Sequence, residues 1–161
     1  MAQSNDSAEQ TEFSIRRAEI RDVREIRAID MESFPSPWSE SLTITQVTGR
    51  DRVHYVAVRD HRVIGHGGLV FLAHEAHVAT IAVASDYWGQ GVGDALMDRL
   101  LEAAEANGHA GLTLEVRESN LRAIALYERH GLAIAGRRKG YYENDGEDAL
   151  IMTSDSLRAH G

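Results

Sequence analysis

The chain has 161 residues, 43% of them hydrophobic, enough to bury the core of one domain. It contains no cysteine, which excludes disulfides, Cys-ligated zinc and cysteine nucleophiles and fits a reducing, cytoplasmic setting. A net charge of −8 argues against general nucleic-acid affinity, and no leader-like start or apolar run near the roughly 18 residues of a membrane span is present.

Residues 1–11 are polar and lack periodicity, so a disordered tail is expected, followed by a domain over 12–154 and a short tail over 155–161. Phe13–Arg16 alternates as a first strand. Asp22 and Glu25 have capping-box spacing ahead of a helix carrying Val23, Ile26 and Ile29. Pro35 and Pro37 end that helix, and Ser39 caps a second one reaching about Val47. Val53–Val58 and Val63–Phe71 read as a hairpin turning at Arg59–Arg62. Val78–Val83 is a further strand. Leu96, Leu100 and Ala103 mark a helix that stops near Gly108.

The strand-to-helix pattern then recurs. Leu112–Val116 alternates, with Leu112, Leu114 and Val116 on one face and Glu115 on the other. Ser119 and Asn120 supply cap residues for a helix carrying Ile124 and Tyr127 and closing at Gly131. A last hairpin runs from Ala133 to about Tyr142, turns through Asn144-Asp145-Gly146 and returns over Asp148–Met152. Central strands joined by helices, with hairpins at both ends, predict a mixed sheet in an α/β domain.

Between the strand ending at Val83 and the following helix lies Trp88-Gly89-Gln90-Gly91-Val92-Gly93-Asp94. Alternating glycines let backbone N–H groups approach a ligand, and the helix start adds its unpaired N–H groups and positive dipole end. Such a loop can hold a pyrophosphate, or it can simply turn a strand into a helix. No Lys-Ser or Lys-Thr pair follows, so the nucleoside-triphosphatase P-loop pattern is absent. Counting from Gly89 or Gly91 places Asp94 or Leu96 where a dinucleotide fingerprint needs its last Gly or Ala.

What remains resembles the acyl-CoA loop of the GCN5-related N-acetyltransferase (GNAT) superfamily, Gln/Arg-x-x-Gly-x-Gly/Ala, with Trp88 in the Gln/Arg place. Leu114-Glu115-Val116-Arg117-Glu118-Ser119-Asn120, Ala123–Glu128 with Gly131, Arg138–Tyr142 and Glu147–Met152 are similar to its RimI-like branch of ribosomal-protein alanine N-acetyltransferases. So is the Pro37-Trp38-Ser39 turn. The similarity runs from about Phe13 to Met152. It implies a GNAT fold, a mixed sheet of six to seven strands flanked by about four helices.

The resemblance also implies acetyl-CoA as cosubstrate and a protein N-terminus as acceptor, while charge, hydropathy and histidine spacing point to no nucleic acid, membrane or metal partner. It makes Glu115 the general base and Tyr127 the general acid. Backbone groups of Ile81, Ala82 and Val83 would pair with the pantetheine arm. Gly89, Gln90, Gly91, Val92, Gly93 and Asp94 would surround the pyrophosphate, and Asn120 would bond near the thiol. Phe34, Trp38, Tyr141 and Tyr142 are candidates for the peptide groove.

The residues suit this chemistry independently. An N-terminal ammonium, pKa about 7.7–8.0, must lose a proton before it attacks a thioester, and a partly buried Glu can take it. A phenol can protonate a leaving thiolate. Other readings stay open: Glu115 paired with Arg117 or solvated, Tyr127 as a core aromatic, Asn120 as a plain cap, and Tyr141 and Tyr142 as packing residues. Alternative functions are acetylation of a small amine or lysine, or acyl-CoA binding without catalysis. His74-Glu75-Ala76-His77 has the wrong spacing for a zinc helix. Arg137-Arg138-Lys139 is either a guide for an acidic group or a solvated strand face. With Trp88 uncharged and Asp94 in the helix's first turn, Trp88→Arg and Asp94→Asn are each expected to tighten pyrophosphate binding.

Overall fold

The computed structural model describes residues 12–154. Seven strands form one sheet: β1 (Ser14–Arg17), β2 (Arg52–Arg59), β3 (Arg62–Phe71), β4 (Ala76–Val83), β5 (Leu112–Arg117), β6 (Leu132–Tyr142) and β7 (Glu147–Ser154). Their order is β1-β2-β3-β4-β5-β7-β6, antiparallel throughout except for the parallel β4–β5 pair. The α-helices are α1 (Val23–Ser33), α2 (Glu40–Thr48), α3 (Val92–Ala106) and α4 (Leu121–Arg129). This is the expected mixed α/β sheet. The proposed tails over 1–11 and 155–161 lie outside the described residues.

The helices form two layers because each buries one face, mainly apolar in α1 and α3 and partly polar in α2, where Thr43 and Gln46 join Val47. Val23, Ile26 and Ile29 of α1 and Val47 of α2 pack on Val56, Val63 and Ala82. On a second core, Met97, Leu100 and Ala104 of α3 and Tyr127 of α4 meet Val78, Leu112, Leu114, Val116, Leu150 and Met152. The α3 stripe therefore runs through Ala104 rather than the expected Ala103, which is only partly buried. Asp60 and His61 adopt positive φ, as a two-residue hairpin turn requires. Among the described residues no helix is long and apolar enough to cross a membrane.

The first capping box is displaced from its expected position. It joins Glu19 and Asp22 around a short 3₁₀ turn, with Asp22 accepting from the Glu19 N–H at 2.7 Å. Arg16 donates to both Asp22 oxygens at 2.7 and 2.9 Å. Glu25 instead accepts from the Val63 N–H at 2.8 Å, tying α1 to the start of β3. The nearby Arg16 and the backbone at the start of β3, 38 residues from Glu25, thus took the carboxylates that local spacing assigns to a helix cap.

Between α1 and the sheet runs a buried polar chain. His66 Nε2 lies 2.7 Å from Asp30 Oδ1, and His66 Nδ1 lies 2.9 Å from His54 Nε2. His66 is 0% exposed. Gly68 makes room for this arrangement, since an added Cβ there would collide with the His54 ring and the Gln46 amide. Burial, and then the neighbouring His66, push the His54 imidazole well below its usual range. Folded His54 stays neutral, while unfolded His54 takes a proton below about pH 6.5. Stability should therefore be retained above that pH and fall beneath it, by up to about 1.4 kcal/mol per pH unit from this group. Urea unfolding of wild type and His54→Asn across about pH 5 to 8 checks this. The variant should show the shallower slope, and an equal slope would assign the effect elsewhere.

Candidate active site

The parallel β4–β5 ladder has only two residue pairs, Ala76 with Leu112 and His77 with Thr113. Beyond them the strands part, and a cavity of about 640 Å³ lies between. Residues 78–81 of β4 and 114–117 of β5 line it, with the 33–38 loop after α1, the 141–144 segment, and Asn120, Ala123 and Tyr127. Seven residues singled out from sequence thus meet in one place: Glu115, Tyr127, Asn120, Phe34, Trp38, Tyr141 and Tyr142. Ile81 joins them. Ala82 and the glycine loop do not line this cavity, and Ala82 belongs to the α1-side core.

Glu115 reaches the cavity because strand alternation turns it away from Leu114 and Val116. Its side chain is 15% exposed, with Oε2 at 3.0 Å from His77 Nε2 and Oε1 at 3.5 Å from Arg138 Nε. Arg117 is not its partner. That guanidinium bonds Asp145, Glu147 and Asn144 at 2.8–3.1 Å and stacks on the Tyr142 ring at 4.0 Å. Glu147 also accepts from the Ser119 N–H, and Arg137 joins Glu118 to Asp148. Of the basic run over 137–139, Arg137 is therefore a structural cross-link, while Arg138 reaches Glu115.

Tyr127 is 6% exposed on the inner face of α4. Burial, with a smaller contribution from nearby Tyr142, pushes its phenol well above the usual value, so it keeps its proton at neutral pH. Asn120 caps α4 by accepting from the Ala123 N–H at 3.2 Å, which leaves its NH₂ group available to a ligand.

At the start of α3, Gly89 and Gly91 have φ of 76° and 83°, and the space where a Cβ would stand is open at both. Gly93 serves packing instead: a Cβ there would press on Leu126 at 3.3 Å. The helix has no side-chain cap, so its first N–H groups are available to an anion. Asp94 does not point a free charge at them. Partial burial raises its carboxyl, but bonds from His130 and Arg129 outweigh this and hold it below the usual carboxylate range. Trp88 is anchored by its indole N–H to the Val83 carbonyl at 2.9 Å, and the Arg122 guanidinium lies on its ring.

The model of the "Acetyltransferase (GNAT) family" matches residues 23–132. The chain belongs to this acetyltransferase family. Escherichia coli ribosomal protein bS18-alanine N-acetyltransferase is 36% identical over 141 residues, covering 86% of this chain and 95% of that protein. An N-alpha-acetyltransferase of Saccharolobus solfataricus is 29% identical, covering 88% and 92%. The crystal structure of the ribosomal-protein-S18-alanine N-acetyltransferase from E. coli matches with a TM-score of 0.81 at 33% identity, covering 89% of this chain and 93% of that one. The seven-stranded sheet and four α-helices are the GNAT fold.

In this GNAT chain several site residues escaped sequence reasoning. His77 stood out only within a metal-like spacing, yet it faces Glu115; among the described residues no group of three or more His, Asp or Glu could hold a metal. Arg122 carried no signal beyond a charge on a helix. Asp30 lines the cavity as well as ending the buried histidine chain. Arg117→Ala should release the turn joining β6 and β7. Hydrogen exchange at amides 142–147 is expected to quicken several-fold as the charged hydrogen bonds holding the turn are lost, with β1–β3 unchanged. Unchanged exchange there would mean that strand pairing alone holds the turn.

Proposed function

We propose that this acetyltransferase transfers the acetyl group of acetyl-CoA to the N-terminal α-amine of a protein, specifically the N-terminal alanine of a small-subunit ribosomal protein. The observation that carries this reading is the meeting of Glu115 and Tyr127, from different elements, on the cavity where β4 and β5 part. The 36% identity to the E. coli bS18-alanine enzyme across 86% of the chain supports the substrate class. Aromatic residues Phe34, Trp38, Tyr141 and Tyr142 suit a peptide, and the carboxylates of Asp30, Glu115 and Glu143 suit its ammonium.

The donor would supply an activated thioester carbonyl. The chain offers it a fitting cradle: uncapped N–H groups over the glycine loop, the Asn120 amide, and the edge of β4 that β5 leaves unpaired after His77. In this reading Glu115 removes a proton from the substrate ammonium, directly or through water, with His77 and Arg138 steadying its two oxygens. The amine then attacks the carbonyl without a covalent enzyme intermediate; the C–S bond breaks as the C–N bond forms, and the proton that the nitrogen sheds passes through water to replace the one Tyr127 gives up. Tyr127, protonated because it is buried, donates toward the departing sulfur.

Incubation with acetyl-CoA and a panel of N-terminal peptides, small amines and lysine peptides, read by mass spectrometry, tests the reading. Acetylation of the alanine-starting ribosomal peptide is expected, whereas only small-amine or lysine products would overturn it. Tyr127→Phe should lower kcat by about 10²–10⁴-fold with little change in acetyl-CoA affinity. Because burial raises the phenol, wild-type activity should not decline through Tyr127 ionisation below about pH 10. Glu115→Gln should shift activity toward alkaline pH, where the amine is already neutral. Full turnover with an unchanged pH profile in either variant would remove that residue from its role.

A further inference from the structure

Two arginines reach the glycine loop, and among the described residues neither is held by a carboxylate. Arg122, from the first turn of α4, places its guanidinium carbon 3.6 Å from the Trp88 ring centroid. Arg59, from the end of β2, donates to the Gln90 side-chain oxygen at 3.3 Å and lies 5.9 Å from the Tyr87 ring centroid. A ring face or a neutral amide orients a guanidinium without cancelling its charge. The arginines at the β6–β7 hairpin are instead neutralised: Arg117 by Asp145 and Glu147, Arg137 by Glu118 and Asp148, and Arg138 by Glu115. The loop's own carboxylate, Asp94, is spent on Arg129 and His130. In a chain of net charge −8, two cations at this loop thus have no carboxylate partner among the described residues, while Asp94 is paired.

The geometry points to Arg122 as a ligand of the CoA pyrophosphate, held in place by Trp88, with Arg59 adding charge from the other side of the loop. This rests on acetyl-CoA being the donor. Arg122 stands two residues after Asn120, which lines the cavity, and touches Trp88, which opens the loop, so it lies between the proposed thiol and pyrophosphate positions. The planar guanidinium lies on the indole, which is fixed by its bond to Val83, so little side-chain freedom is lost when an anion arrives. Trp88 is then not a lost charge but the platform for a charge supplied by another helix. Trp88→Arg would set two guanidiniums against each other and abandon the Val83 carbonyl. It should weaken binding, the reverse of what the loop sequence alone suggests.

Calorimetric titration of the full chain with acetyl-CoA and with 3′-dephospho-CoA, at low and high ionic strength, tests this. Arg122→Ala should weaken both ligands by about tenfold at low salt and reduce the salt dependence of binding. Trp88→Leu should weaken binding several-fold, and Trp88→Phe, which keeps a ring for stacking, should recover most of it. An Arg122→Ala affinity equal to wild type would overturn the proposal. So would a loss seen with acetyl-CoA but absent with 3′-dephospho-CoA, since it would move the contact to the 3′-phosphate. Absence of any acetyl-CoA binding by wild type would instead overturn the donor reading on which the proposal rests. Circular dichroism of each variant separates lost binding from lost folding.

Discussion

The site depends on the separation of β4 and β5 after a two-residue parallel ladder. Strands in register would bury their backbone groups in each other and leave no gap. Here the ladder ends at His77 and Thr113, and α3 and α4 pack their apolar residues against the sheet on one side. The parting exposes backbone of β4, gives Glu115 a cavity to face, and leaves room for the α4 start to approach. Val78, Leu114, Val116 and Tyr127 stay buried in one continuous core, so the gap is held by packing rather than by the flexibility of a loop.

Charge pairing then decides which side chains remain free to act. The β6–β7 turn is stitched to the end of β5 and the start of α4 through Arg117, Glu147, Ser119, Glu118, Arg137 and Asp148. These contacts place Tyr141 and Tyr142 on the cavity rim. Asp94 performs a comparable task at the other end, joining the first turn of α3 to the last residue of α4 through Arg129 and His130. An anion at a helix N-terminus and the Arg129 cation at a helix C-terminus complement both dipoles at once.

Much of the fold was legible because hydrophobic periodicity is a local property. The alternation of Leu112, Leu114 and Val116, the Asn120 cap and the positive-φ glycines of the loop all appear in the structure where spacing put them. The resemblance joined segments that the structure brings together: the Glu115–Asn120 run and the Tyr141–Asp148 hairpin meet through Arg117 and Glu147. The cap assigned to Asp22 and Glu25 failed for the opposite reason. Spacing cannot register Arg16 on the preceding strand or the Val63 N–H at the start of β3.

By itself the sequence determined the two faces of β5, most of the buried positions of the helices, where the helices start, and which residue types could carry acyl transfer to an amine. Only the tertiary structure decided their partners. It set His77 and Arg138, rather than Arg117, against Glu115; it buried Asp30, His66 and His54 in one polar chain; and it laid Arg122 on Trp88. The reason is physical. Periodicity follows from backbone geometry over a few residues, whereas charge pairing and cavity shape depend on distances between segments tens of residues apart, and those distances exist only once the sheet has closed on its helices.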